Sequence, residues 1–238
     1  MKNPNSISLM FPLYKDKRTV KIMISKSLKV LKKINRKFEI IIVDDGCPEK
    51  SGNVAQLYSK KNPKIKIFFH KKNLGYGRAI KTGLQKCKNE CIFLIDGDNE
   101  YDVNDLPRML KAFKYSDLVI TYRYKKKYNT NRIVISWIYN KILRFLFATK
   151  FKDISTGSRL LSRKLKNTIK ITSNSPFLGA ELAIKSKQHG FKISEIGIHT
   201  YPRTFGSGSS VSMKNIFLTI KDMMLLFIKI CLKKNLNH

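Results

Sequence analysis

Cys91-Ile92-Phe93-Leu94-Ile95-Asp96-Gly97-Asp98-Asn99-Glu100 is the stretch on which the reading of this chain turns. A short, wholly apolar run ends abruptly in three acidic side chains at alternate positions. Apolar residues on both sides of the pleat mark a strand buried on both faces, as in a parallel sheet. Open α/β sheets place their ligands beyond the carboxyl ends of such strands. Asp96, Asp98 and Glu100 are therefore candidate ligands of one hard divalent cation, which prefers oxygen donors. The expectation is a metal site that holds a diphosphate; a solvated turn of acids is the plainer alternative. In a chain with 48 Lys and Arg against 16 Asp and Glu, such an acidic cluster stands out.

Working outward, short β-type runs alternate with helical patterns through the first half. Ser6–Phe11, Phe38–Val43, Lys64–Phe69, Ile92–Ile95 and Leu118–Thr121 read as strands. Helical patterns cover about Thr19–Ile34, Val54–Lys60, Arg78–Cys87 and Leu106–Phe113. That alternation implies right-handed crossovers and a mostly parallel α/β sheet flanked by helices. The second half is less regular. Arg132–Phe151 is a long aromatic helical pattern, Phe177–His189 a helix closed by Gly190, Ile193–His199 a strand and Phe205–Ser210 a Gly/Ser loop. Ser212–Leu232 reads as a final amphipathic helix.

The net charge of +32 on 238 residues calls for polyanionic surroundings: nucleic acid, an anionic membrane or phosphorylated substrates. The basic residues are spread along the chain and form no nucleic-acid motif, so no nucleic-acid partner is expected. Cys47, Cys87, Cys91 and Cys231 form no Cys-x-x-Cys pair, which reads as free thiols in a reducing cytosol. The first residues have no signal-peptide pattern, and no stretch reaches the roughly 18 apolar residues of a spanning helix.

Two further motifs flank the acidic cluster. Asp44-Asp45-Gly46 closes the second strand, so its carboxylates face the same sheet edge. They suit a nucleobase imide or ribose hydroxyl, or else a strand-ending turn with a helix N-cap. Asn73-Leu74-Gly75-Tyr76-Gly77-Arg78-Ala79 precedes a helix, where glycines let a ligand approach the backbone and the helix start favours anions. A plain turn explains it as well.

Together and in this order, the three motifs resemble the family 2 nucleotide-sugar glycosyltransferases of GT-A fold. The likeness is closest to their polyprenyl-phosphate branch, the dolichol-phosphate mannose synthases and related bacterial enzymes. Pro12-Leu13-Tyr14-Lys15-Asp16 stands where that family has Pro-x-Tyr-Asn-Glu. Asp44 and Asp45 match its base-binding pair, with Cys47 for a usual Ser. Asn73, Gly75, Gly77 and Ala79 match its Asn-x-Gly-x-Gly-x-Ala element, and Asp96-Gly97-Asp98 its metal-binding Asp-x-Asp. Past the metal motif, Tyr122-Arg123 and Arg132–Asn140 resemble the two elements that grip an acceptor phosphate. Asp153-Ile154-Ser155-Thr156-Gly157-Ser158-Arg159, Glu181-Leu182, Gly190–Ile196 and Tyr201-Pro202-Arg203 continue the pattern, so that the likeness spans about residues 6–211.

The resemblance implies a GT-A domain over 1–211, with a nucleotide-sugar half to about 122, an acceptor half over about 123–211, and a basic amphipathic helix over 212–238. It implies an inverting transfer from a nucleotide-diphosphate sugar to a polyprenyl phosphate, with Mg2+ or Mn2+ on Asp96, Asp98 and Glu100. The donor would meet Pro12, Tyr14, Asp16, Asp44, Asp45, Asn73, Gly75, Gly77, Arg78, Asp96, Gly97, Asp98 and Arg203. The acceptor phosphate would meet Arg123, Arg132 and Ser155. A phosphate monoester, mostly dianionic at neutral pH, needs no general base; a sugar hydroxyl does. Hydroxyl-using relatives carry Glu-Asp before the Glu-Leu helix, where this chain has Gly179-Ala180-Glu181-Leu182, which favours a phosphate acceptor. Asp153 and Glu181 are the fallback bases. A sugar-hydroxyl acceptor in surface glycan synthesis is the nearest rival. The two basic amphipathic helices suit an anionic bilayer interface, or simply cover the sheet. The expected location is the cytoplasmic membrane face, with a membrane subunit or a second copy as further partners.

Overall fold

The computed structural model describes residues 2–124, 130–202 and 212–235, without the side chains of 130–132 and 233–235. Seven strands form one sheet in the order β3-β2-β1-β4-β6-β5-β7. β1 (Ser6–Leu13) lies between β2 (Lys37–Asp44) and β4 (Cys91–Leu94) and is parallel to both; β3 (Ile65–Phe69) extends the β2 edge in parallel. Alternation along β1 divides the core. Ile7, Leu9, Phe11 and Leu13 point to one face and Met10 to the other.

The first face is covered by α1 (Val20–Ile34), α2 (Ser51–Lys61) and α4 (Leu106–Phe113). α4 shows why: Leu106, Met109, Leu110 and Phe113 recur at the spacing of one helix face, and all four are buried. The second face takes α3 (Tyr76–Lys86), α6 (Arg163–Thr168) and α7 (Leu178–Gln188), with α5 (Thr130–Phe147) and α8 (Met213–Asn235) packed outside by Leu143, Met223 and Leu226. Phe11 is fully buried between strands and α1; truncating such a phenylalanine to Ala costs about 3–5 kcal/mol.

The second half departs from a simple alternation. β6 (Arg159–Ser162) inserts between β4 and β5 (Leu118–Arg123) and runs antiparallel to both, while β7 (Ile193–Ile198) is parallel to β5. This strand and α6 were not expected. Four residues are too few to show a period, and their pairing is purely tertiary. The insertion has a functional consequence. Arg159 lies opposite Leu94 on one side and Ile120 on the other. The segment entering β6 must therefore cross the rim where Asp96 follows β4 and β5 ends in Arg123.

Candidate active site

Asp96 follows β4 at that rim. Its Oδ1 accepts a hydrogen bond from the Tyr76 hydroxyl at 2.9 Å. Burial pushes the Asp96 carboxyl up; Tyr76 opposes, Glu100 adds, Arg159 opposes and Asp16 adds, leaving it at about 6. Burial and the Asp96 charge raise the Tyr76 phenol well above its usual range, so it stays a donor. Gly157 presses on the same carboxylate: a Cβ there would overlap Asp96. Only glycine lets the strand-entering segment pass so close.

Asp98 Oδ1 accepts from the backbone N–H of Glu100 at 3.0 Å, closing a turn around Asn99, which has a φ of 62°. Gly97 is held from the other side, its carbonyl accepting from Thr19 Oγ1 at 3.0 Å. The expected convergence of Asp96, Asp98 and Glu100 is not found as such. Among the described residues no group of three or more His, Cys, Asp or Glu is arranged to hold a metal ion. The reason lies in the turn: Asp98 folds back onto its own backbone, Asp96 is turned to Tyr76, and Glu100 is buried. The donor set still fits a cation. Glu100 and Asp16 both raise the Asp96 carboxyl, and Mg2+ is commonly held by one or two carboxylates plus substrate phosphate oxygens rather than by a protein cage.

The segment after β1 lies beside this turn. Asp16 is buried, and its Oδ2 accepts from the Tyr14 N–H at 3.1 Å. Pro12, one residue before the end of β1, lies opposite Val43. Lys15 N–H donates to Cys47 Sγ at 3.1 Å and Asp16 N–H to Ser51 Oγ at 3.2 Å, so residues 14–16 rest on the turn after β2. That turn is built by its acids. Asp44 accepts from Cys47 N–H at 2.7 Å and from Gly52 N–H at 2.6 Å, capping α2. Asp45 accepts from Leu74 N–H at 2.9 Å, Gly75 N–H at 2.8 Å and the His70 ring, with Nδ1 at 2.7 Å. Both acids thus do what the turn-and-cap reading requires, and Asp45 fixes the glycine loop. Asn73 and Arg78 are exposed on that loop and on the first turn of α3, and Gly77 is buried between them.

The acceptor-side residues gather around one ion pair. Arg123 Nε donates to Asp153 Oδ2 at 2.8 Å, with both side chains 5% exposed. Arg123 Nη2 donates to Ser155 Oγ at 2.7 Å and lies 3.4 Å from Ser136 Oγ. Ser155 Oγ donates to Asp153 Oδ1 at 2.6 Å. Asn140 of α5 ties the cluster to that helix, donating to Asp153 Oδ1 at 3.3 Å and accepting from Ile154 N–H at 3.0 Å. Arg132 belongs to α5 one turn before Ser136, and its side chain lies outside the described residues, as does Arg203. The backbone leading to Arg203 does reach the rim, since Tyr201 N–H donates to the Glu100 carbonyl at 2.9 Å.

Glu181 does not join the site. It is fully buried and accepts from Thr172 N–H at 2.9 Å, Thr172 Oγ1 at 2.7 Å, Ser173 N–H at 2.8 Å and the Lys185 ammonium. Burial pushes its carboxyl up, but hydrogen bonds from Lys185, Ser173 and Thr172 outweigh that and bring it down to about 2. A carboxylate so held is a poor proton acceptor at neutral pH. Asp153, occupied by Arg123, Ser155 and Asn140, orients the arginine instead.

Sequence reading assigned no role to Tyr76, Ser136, Gly157 or Arg159. Arg159 is buried beneath the rim, its Nη2 donating to the Ile154 carbonyl at 2.7 Å and its guanidinium lying against Gly179. Gly157 and Arg159 lie inside a motif that was read, so their position was signalled and only their contacts were missing.

The chain belongs to glycosyl transferase family 2, whose family model matches residues 8–169. Among similar curated proteins, glycosyltransferase AglD of Haloferax volcanii is 20% identical over 207 residues, covering 83% of this chain and 33% of that protein. The undecaprenyl-phosphate 4-deoxy-4-formamido-L-arabinose transferase of Photorhabdus laumondii is 24% identical over 216 residues, 89% of this chain and 65% of the relative. The chain thus spans between a third and two thirds of the length of these relatives. Among solved structures, glucosyl-3-phosphoglycerate synthase from Mycobacterium tuberculosis, in complex with Mg2+ and UDP, superposes with a TM-score of 0.72 at 14% identity. That match covers 92% of this chain and 78% of the synthase, and it shows the shared fold. The GT-A architecture expected from the motifs is the one observed.

Proposed function

We propose that this chain transfers a sugar from a nucleoside-diphosphate donor to a polyprenyl phosphate at an anionic membrane surface. The observation that carries it is the Arg123–Asp153–Ser155 cluster, joined to Asp96 by Gly157 within a single segment. A fixed guanidinium flanked by the hydroxyls of Ser155 and Ser136 suits a phosphate monoester. On this reading Asp153 aims Arg123, and Arg123 with Ser155 orients the acceptor phosphate beside the carboxylates at the end of β4.

A phosphate with a second pKa of about 6 attacks without a base, which agrees with Asp153 and Glu181 both being engaged elsewhere. A bound Mg2+ or Mn2+, held by Asp96 and Asp98 and the donor's own oxygens, would neutralise the diphosphate as it leaves. The acceptor oxygen displaces the nucleoside diphosphate in one step and inverts the anomeric carbon. The relative from Photorhabdus is named for an undecaprenyl-phosphate substrate, which supports a lipid acceptor here.

Among the described residues no helix is long and apolar enough to cross a membrane. α5 and α8 instead turn large apolar side chains outward. Phe145 is 86% exposed and Phe217 is 69% exposed, with Trp137, Ile138, Met224 and Ile228 also exposed. Lys141, Arg144, Lys221 and Lys229 interleave with them, the composition of an interfacial helix on anionic lipid.

The test is a panel of UDP- and GDP-sugars with Mn2+, offered to undecaprenyl phosphate, dolichyl phosphate and simple sugar acceptors, with Asp98→Asn as the blank. Label entering only the lipid phosphates in a metal-dependent way is expected. Transfer to sugar hydroxyls alone would overturn the proposal.

A further inference from the structure

The terminal helix α8 carries one acid, Asp222, and it faces inward rather than joining the basic outer surface. Its Oδ2 accepts from the backbone N–H groups of Asn174 and Ser175, each at 3.1 Å. The segment 172–175 is a crossroads. Glu181 of α7 holds Thr172 and Ser173, and Lys81 of α3 donates to the Asn174 side chain and the Thr172 carbonyl. The Asn174 carbonyl in turn accepts from Gly77 N–H at 3.2 Å, in the first turn of α3. A Cβ at Gly77 would overlap the Asn174 backbone, so the two segments lie in direct contact. The glycine loop is therefore held from two sides: by Asp45 from the sheet, and by 172–175 from behind.

We infer that Asp222 is a positioning residue for the donor site, fixing segment 172–175 against the start of α3 and thereby the glycine loop. This rests on the donor reading of that loop given above. A carboxylate that collects two backbone N–H groups makes charge-assisted bonds, and no other helix supplies an acceptor to Asn174 N–H or Ser175 N–H among the described contacts. Removing it frees Asn174 to move, and the Gly77 N–H moves with it. The acceptor cluster, built from β5, α5 and residues 153–155, shares none of these bonds. The effect should fall on the donor alone.

The experiment compares Asp222→Ala, Asp222→Asn and Lys81→Met with the unaltered protein. It measures kcat, KM for the nucleotide sugar and for polyprenyl phosphate, and Kd for UDP and GDP with Mn2+ by calorimetry. Asp222→Ala should raise donor KM and nucleotide Kd about tenfold, equivalent to about 1.4 kcal/mol, with acceptor KM and kcat within about twofold. Asp222→Asn retains an acceptor oxygen and should recover most of the loss. Lys81→Met removes the tie from α3 and should shift the same constants in the same direction. A donor KM and Kd indifferent to Asp222→Ala, or donor and acceptor constants rising together in step with lost thermal stability, would overturn the inference. Failure of the unaltered protein to bind either nucleotide would instead sink the donor reading itself.

Discussion

Replacing Gly157 by Ala probes the contact that joins the two halves of the site. The new methyl would sit against the Asp96 carboxylate, and even the farther oxygen, Oδ1, would lie 2.7 Å away, where ordinary contact begins at 3.4 Å. One side must yield by at least the difference. Gly157 is buried in a segment tied through Ser155 to Asp153 and Arg123, so the freer partner is the Asp96 side chain, anchored by its hydrogen bond from Tyr76. A displacement of about 1 Å in a reacting constellation costs on the order of a hundredfold in rate, or about 2.7 kcal/mol in the barrier. Overpacking should cost about 1–3 kcal/mol of stability, which in a chain of this size lowers Tm by only several degrees. The assay is steady-state transfer from a nucleotide sugar with Mn2+, beside a thermal melt and a Mn2+ titration. A folded Gly157→Ala protein that keeps activity within threefold of the original would refute the placement of Asp96 at the reacting centre.

Further expectations concern the acceptor, the buried acid and the outer face. Arg123→Lys keeps the charge but cannot serve Asp153 and Ser155 at once, so acceptor KM should rise about tenfold or more while nucleotide Kd holds; equal rises in both would contradict the assignment. Glu181 has its folded pKa lowered from 4.5 to about 2. Its contribution, on the order of 3 kcal/mol, is therefore present above about pH 4.5 and lost as pH falls toward 2. Denaturant unfolding of Glu181→Gln should show lower stability at pH 7 and a flatter acid limb, and an unchanged limb would rule this out. Phe217→Ser should weaken sedimentation with phosphatidylglycerol vesicles about tenfold without altering nucleotide Kd. Binding equal to the original, or as strong to neutral vesicles in high salt, would argue against the interfacial role of α8.

Much of the fold was legible because its signals are local. An apolar run ending in charge gives a buried strand and its rim, and six of the seven strands follow from such runs. β6 escaped because Arg-Leu-Leu-Ser, at 159–162, has no turn signal or period that marks a strand; it pairs only once β4 and β5 flank it. Arg123, Asp153 and Ser155 were singled out only through the family resemblance, since Arg123 lies far from the other two in sequence and no local pattern joins them. The partnerships of the carboxylates were not legible. Asp44 and Asp45 are as acidic in sequence as Asp96, yet folding commits them to backbone N–H groups of a turn and a glycine loop. Glu181 sits in a motif that resembles a catalytic one, and only burial with its hydrogen-bond partners shows it to be a brace. Asp96, Asp98 and Glu100 alternate in sequence, but β4 ends at Leu94, so all three lie past the strand, where alternation no longer sets the direction of a side chain.

The sharpest check is the linkage in the product. Lipid recovered after incubation with polyprenyl phosphate, Mn2+ and the active nucleotide sugar should show a single glycosyl phosphodiester by 31P NMR, with the phosphomonoester signal falling as the sugar is gained. Sugar gained while the phosphomonoester persists would mean that a hydroxyl had attacked, and that Arg123 and Ser155 grip something other than the nucleophile.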